Sequence, residues 1–218
     1  MVRISASLLA ANMACLGAEV QRAEEAGVQS IHFDIMDGHY AANLAFSPDD
    51  VAALRSYTQL PFHLHMEVEN PDKMLDAFRR SQAHLIIVCW DTLVDPKRTF
   101  RSIRALSAEV GLSLNPGQPP SALGDLLAEL NRLMILGVMP GFGGQAMRPD
   151  TVDRIAQARA EMLKQGLDIP ISVDGGVSVE NAANLVQAGA SELIVGTGIF
   201  GADSMGEYVM ALRAAAGW

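Results

Sequence analysis

Cysteine is scarce: Cys15 and Cys89 are the only two in 218 residues. That excludes a disulfide framework and fits a reducing, cytoplasmic setting. No apolar run approaches the ~20 residues needed to cross a bilayer. The N-terminal stretch "MVRISASLLAANMACLGAEV" turns helical and charged too soon for a secretory signal. Positive charge is also short, with 16 Lys and Arg against 25 Asp and Glu and a formal net charge of −9. That balance argues against a general nucleic-acid partner, which would want a basic surface. It does not exclude a small anionic ligand, which needs only a local positive pocket. Linker-like and low-complexity breaks are missing too, so residues 1–218 read as a single domain.

What is present is a recurrence. Short β-type runs fall at Arg3–Ser7, Ser30–Ile35, Phe62–Val68, Leu85–Trp90, Gly111–Leu114, Leu133–Val138, Ile171–Val173 and Leu193–Gly196. Helical patterns lie between them. Val152, Ile155, Ala156, Met162 and Leu163 recur at helical spacing, interrupted by Arg159, whose stem can still cover apolar surface. Met74, Leu75 and Phe78 mark a shorter segment. Ser47-Pro48 and Asn70-Pro71 each place a capping side chain before a proline at the first helical position. Ser178 opens the segment "VENAANLVQAG", which ends in a glycine suited to a C-cap. Strands alternating with helices argue for a parallel sheet covered by helices. Eight such units favour a closed (β/α)8 TIM barrel, compact for a fold that runs from about 200 residues upward. A doubly wound open sheet is the competitor, weakened for dinucleotide binding by the lack of G-x-G-x-x-G after the first strand.

The second strand carries the first chemical signal. In "IHFDI", Ile31, Phe33 and Ile35 share one face while His32 and Asp34 share the other. In a barrel the apolar face meets the helices, and His32 and Asp34 point inward near the C-terminal end, where active sites of this fold sit. An edge strand with a wet face is no explanation there, because a barrel has no edges. The third strand, "FHLHMEV", repeats the arrangement with His63, His65 and Glu67 on one face. The seventh ends "ISVDGG", with Asp174 at its tip. His32, Asp34, His65 and Asp174 can therefore converge from three strands as a shell for Zn²⁺, Mn²⁺, Co²⁺ or Fe²⁺. Hydrogen-bonded buried polar pairs are the alternative.

Glycines form the second signal. "PGFGGQ" at 140–145, "DGG" at 174–176 and "GTGIF" at 196–200 follow the sixth, seventh and eighth strands. Loops after the late strands of a barrel are its usual phosphate seat. Ordinary turn glycine is the better reading for any one loop alone. His39, His84 and Asp37 read as solvated loop residues. Met36 and Met139 read as core packing, and Cys89 as a buried small hydrophobe. Trp90 and Asp91 fall at a strand end that could line the mouth.

These motifs together resemble the ribulose-phosphate 3-epimerase family. "ISASLLAAN", "IHFDIMDGHYAANLAF", "HLHMEVENP", "LNPGQP", "PGFGGQ", "VDGGV" and "VGTGIF" follow in the family's order over nearly the whole chain. The resemblance implies a (β/α)8 barrel and one divalent metal ion on His32, Asp34, His65 and Asp174. Ser7 and His65 would touch substrate. Backbone at Gly141, Phe142, Gly143, Gly144, Gly175, Gly176, Gly196 and Thr197 would bind phosphate. Asp34 and Asp174 would be the paired acid and base of a C3 epimerisation, acting on ribulose 5-phosphate or a close analogue. A homo-oligomer, dimer or hexamer, is implied as well, with no nucleic-acid or membrane partner.

Several residues depart from the family's usual pattern: Ala6, Ala41, Ala42, His63, Glu67, Cys89, Asp91, Leu136 and Met139. They spare the implied ligands and phosphate loops and cluster where the sugar carbons would lie. That fits preserved chemistry with altered substrate choice, such as another pentulose phosphate or allulose 6-phosphate. Glu67 stands out because it shares a face with His65. It could accept hydrogen bonds from sugar hydroxyls, join the metal shell, or pair with His63. A metal-dependent aldolase or lyase and a non-catalytic phosphosugar binder are the competing functions. Product analysis separates the first, and Asp34 with Asp174 argues against the second.

Overall fold

The computed structural model describes residues 2–218. Eight parallel strands form the ring: β1 (Arg3–Ser7), β2 (Ser30–Asp37), β3 (Phe62–Glu67), β4 (Leu85–Cys89), β5 (Glu109–Leu114), β6 (Arg132–Leu136), β7 (Ile171–Asp174) and β8 (Glu192–Val195). Each pairs with the next, and β8 pairs with β1, so the sheet closes. All eight expected strands are present, with ends shifted by at most two residues. One extra pairing was not legible: Leu44–Ala45 runs antiparallel to Met36–Asp37, folding the loop after β2 back over the barrel mouth.

Seven α-helices surround the ring: α1 (Leu16–Glu25), α2 (Pro48–Leu54), α3 (Pro96–Arg104), α4 (Thr151–Lys164), α5 (Val179–Gln187), α6 (Thr197–Phe200) and α7 (Met205–Ala215). Ser47 caps α2 as expected, its Oγ accepting from the Asp50 N–H while Asp50 accepts from the Ser47 N–H. Asn70 does not cap. The segment after it, expected as a helix around Met74 to Phe78, is a 3₁₀ run over Leu75–Ser81. Its buried residues Leu75, Phe78 and Ser81 recur every third position, the period of a 3₁₀ rather than an α-helix. Pro120–Glu129 is likewise 3₁₀, broken at Gly124 where φ is +50°.

The stripe on α4 is also phased differently from expectation. Its buried face is Thr151, Arg154, Ile155, Ala158 and Met162, while Ala156 and Leu163 face solvent. Arg154 is buried because its guanidinium donates to the carbonyls of Leu136 (2.7 Å), Leu114 (3.0 Å) and Asn115 (2.6 Å). Those carbonyls end β5 and β6, so one cation satisfies three acceptors at the strand tips. Arg159, the expected interruption, reaches off the stripe to Asp168 and the Gly189 carbonyl.

Outward-facing strand residues and the inner helix faces make the main core. Phe33 packs edge-on to Phe46 and Phe62 there. Inside the ring, Leu85, Ile87, Met134, Leu136 and Ile194 form a separate apolar cluster. Below them, toward the N-terminal strand ends, lies a polar floor. Glu192 accepts from Arg132 Nη1 (2.7 Å), Ser172 Oγ (2.6 Å) and Ser30 Oγ (3.3 Å), and lies 3.6 Å from His63 Nδ1. His63 therefore faces Glu192 rather than Glu67, with no hydrogen bond between them. Among the described residues, no helix is long and apolar enough to cross a membrane.

Candidate active site

Register decides what meets at the top of the barrel. Asp34 on β2 stands beside His65 on β3, and His32 beside both His63 and Ser7. With alternation fixed by the pleat, His32, Asp34, His65 and Asp174 all turn inward. One donor atom from each lies within 4.8 Å of all the others. His32 Nε2 is 3.2 Å from Asp34 Oδ1 and 3.7 Å from Asp174 Oδ2. His65 Nδ1 is 3.3 Å from Asp34 Oδ1, while its Nε2 is 3.1 Å from Ser113 Oγ. Ser7 Oγ donates to Asp34 Oδ2 at 2.9 Å. The expected four-residue cluster is thus assembled. Two imidazoles and two carboxylates at this spacing suit one divalent cation, with Ser113 fixing the orientation of His65 from behind.

The charges in this cluster strain against burial. Desolvation pulls the His32 imidazolium down, yet the Asp34 carboxylate, then Asp174, outweighs it and lifts the group to about 9. Asp34 is pushed up by burial but held well below the usual carboxylate range by His32 and His65. Asp174 is raised to about 7, first by burial and then by the neighbouring Asp34 charge. Glu67 rises to about 9 for the same reasons, burial first. Three acidic groups sharing one dry site favour the entry of positive charge, which a divalent ion would bring.

Above the cluster opens a cavity of about 300 Å³. Ser7, Asp34, Glu67, Asp174 and the expected glycine-loop positions Gly141, Phe142, Gly143, Gly144, Gly175, Gly176, Gly196 and Thr197 all line it. His32 and His65 do not; they lie fully buried one level down. The loops after β6, β7 and β8 curve around one end of the cavity. Gly176 has φ +71°, and a Cβ there would lie 2.5 Å from the Met147 nitrogen, so only glycine lets this loop pass. Asn43 Nδ2 donates to the Gly141 carbonyl at 2.7 Å, tying the loop after β2 to the loop after β6. Among the described residues, no lysine or arginine lines the cavity.

Some readings need correction. Asp37 is not merely solvated: it accepts the N–H groups of His39, Tyr40 and Glu69, which organises the loop over the mouth. Met139 does not pack in the core but is 55 % exposed at the cavity rim, whereas Met36 is buried against the cavity. Cys89 is fully buried, and burial pushes its thiol up, in keeping with an inert role. Asp91 belongs to a latch that sequence reading missed. Tyr40 Oη donates to Asp91 at 2.8 Å, and Asn115 Nδ2 donates to both. The latch bridges the loop after β2 to the ends of β4 and β5. No sequence signal joins residues so far apart. Ser113 was in reach, since it alternates inward with Gly111 on β5.

A family model described as the ribulose-phosphate 3 epimerase family matches residues 3–200. The chain is 36 % identical over 213 residues to the chloroplastic ribulose-5-phosphate-3-epimerase of Arabidopsis thaliana, covering 97 % of this chain and 76 % of that one. It is 31 % identical over 214 residues to the ribulose-phosphate 3-epimerase of Bacillus subtilis, covering 98 % and 99 %. Among solved structures, a 3-hexulose-6-phosphate synthase superposes with a TM-score of 0.71 at 18 % identity over 99 % of both chains, a likeness of fold. With the barrel, the four-residue cluster and the glycine-lined cavity in place, these matches make the chain a member of the ribulose-phosphate 3-epimerase family, an epimerase acting on a sugar phosphate.

Proposed function

We propose that the chain inverts C3 of a ketose phosphate, ribulose 5-phosphate or a near analogue, by moving protons between two carboxylates. The observation that carries this reading is the pairing of Asp34 and Asp174. Both rest against His32 Nε2, at 3.2 and 3.7 Å, and both line the cavity. Their environments push them apart: Asp34 is held ionised, while burial and then the Asp34 charge raise Asp174 to about 7. Two acids with opposed tendencies in one site are the pattern of an acid–base pair. Inversion beside a ketone needs one group to take the C3 proton and another to return one to the opposite face. Asp34 and Asp174 are assigned these roles, with the planar carbanion held between them.

The remaining residues bind and orient. His32, Asp34, His65 and Asp174 would hold the divalent ion, which would supply positive charge beside the substrate carbonyl. Backbone N–H groups of the loops at Gly141–Gly144, Gly175–Gly176 and Gly196–Thr197 would seat the phosphate, and Ser7 would position Asp34. Fixing the phosphate away from C3 places the reacting carbon before any proton moves. The test is incubation in heavy water with a panel of ketose phosphates. Deuterium should appear at C3 of the true substrate with carbon number conserved. Cleavage of a C–C bond would instead support a lyase, and no exchange with any ketose phosphate would refute the reading.

A further inference from the structure

Glu67 closes β3 on the cavity wall across from Gly175 and Gly176, because β3 and β7 stand opposite each other in the eight-strand ring, and the Gly141 N–H from the loop after β6 reaches its carboxyl group. Glu67 is only 3 % exposed, and it lines the cavity. Oε1 lies 3.5 Å from His65 Nδ1, and Oε2 is buried with no hydrogen-bond partner. Met36 stands beside it in register, and Leu136 and Ile194 line the cavity further round. None of these side chains offers a donor. A buried polar oxygen left unmatched is unfavourable, and a methyl-bearing side chain of similar size would avoid the problem. The Gly141 N–H still leaves Oε2 unmatched, so a donor for that oxygen has to come from what fills the cavity.

The geometry, taken with the proposed C3 epimerisation on which this step rests, sets which donor that is. The phosphate seat at Gly175, Gly176, Gly196 and Thr197 lies across the cavity from β3, and C3 would sit between Asp34 and Asp174. The carbon beyond the carbonyl, C1, then extends toward β3. We infer that Glu67 is a hydroxyl-binding subsite for the terminal carbon remote from the phosphate, so that the enzyme selects ketose phosphates carrying a free C1 hydroxyl over their 1-deoxy analogues.

A site built to hydrogen-bond a hydroxyl rejects the analogue lacking it far more strongly than an apolar pocket does. For this single contact we expect the wild type to prefer the hydroxylated substrate by about 100-fold in kcat/KM for C3 exchange. Glu67→Met should reduce the preference below about 10-fold, and Glu67→Gln, which keeps an acceptor, should retain most of it. Thermal melting reports whether each variant is folded, and Glu67→Met should melt no lower than wild type, because it removes an unmatched oxygen. Calorimetric binding of the two compounds to wild type and Glu67→Met makes the same comparison without turnover. Equal handling of the two compounds by the wild type, or an unchanged preference in Glu67→Met, overturns the subsite. Absence of any C3 exchange would sink the epimerisation itself, and the binding comparison would still decide the role of Glu67.

Discussion

Replacing Arg132 by Met tests whether the polar floor of the barrel holds the molecule together. Glu192 is 0 % exposed, and Arg132 is its one full cationic partner, at 2.7 Å. Removing one member of a buried pair typically destabilises by about 3–5 kcal/mol, because the other charge is stranded. The lower end applies here. Ser172 Oγ and Ser30 Oγ still donate to the carboxylate, at 2.6 and 3.3 Å. His63, 3.6 Å away, can take up a proton; burial first, and the Arg132 charge among the other causes, now hold it down at about 4. We expect a loss of about 3 kcal/mol, which at a urea slope of about 2 kcal/mol/M moves the unfolding midpoint down by about 1.5 M. The double variant Arg132→Met/Glu192→Leu should recover most of that loss, since an apolar pair of similar volume is neutral or better in such a place. A midpoint shift under about 0.5 M for the single variant at unchanged slope would refute the reasoning. So would a double variant less stable than the single one.

Three further outcomes follow from the site. Asp174→Asn should fold normally by circular dichroism and lose C3 deuterium exchange by at least about 100-fold, the usual scale of a lost acid–base group; near-wild-type exchange would remove Asp174 from proton transfer. Gly176→Ala should raise KM for the phosphorylated substrate with little change in melting of the barrel core, because its Cβ would meet the Met147 nitrogen at 2.5 Å and displace the loop. Acid should weaken the fold through His63. Its folded value of about 4 lies below the unfolded 6.5, so the unfolded chain binds more protons and stability falls as pH drops from about 6.5 through about 4. The full effect is about 3 kcal/mol, and the difference between urea midpoints at pH 7 and pH 4.5 should shrink in His63→Gln.

How much of this could be read from residues alone differs by layer. β2 and β3 announce themselves because polar side chains alternate with apolar ones, and a closed barrel leaves those polar groups nowhere to point but inward. The four-residue cluster follows from that parity together with the position of Asp174 at the end of β7. The floor does not follow. Arg132 and Glu192 are 60 residues apart, each at the first position of its strand, and only the stagger of the ring brings them level. On α4 the apolar pattern misled, since it counts hydrophobic residues alone, and Arg154 is buried because its guanidinium satisfies strand-end carbonyls. Around Leu75 the spacing of three is visible in the residues, but two apolar positions three apart fit a 3.6-residue period as well as a 3₁₀ one. The latch of Tyr40, Asp91 and Asn115 joins three separate loops, which no local pattern can pair.

Among the described residues the cavity wall bears no lysine or arginine, and this sets how an anion would be gripped. Held by backbone dipoles that folding has already aimed, it would lose little affinity in concentrated salt, where the pull of exposed lysines and arginines fades. Recognition would then turn on the shape of three fixed loops, so an enzyme of this kind should keep its hold on substrate in brine strong enough to silence one that relies on surface charge.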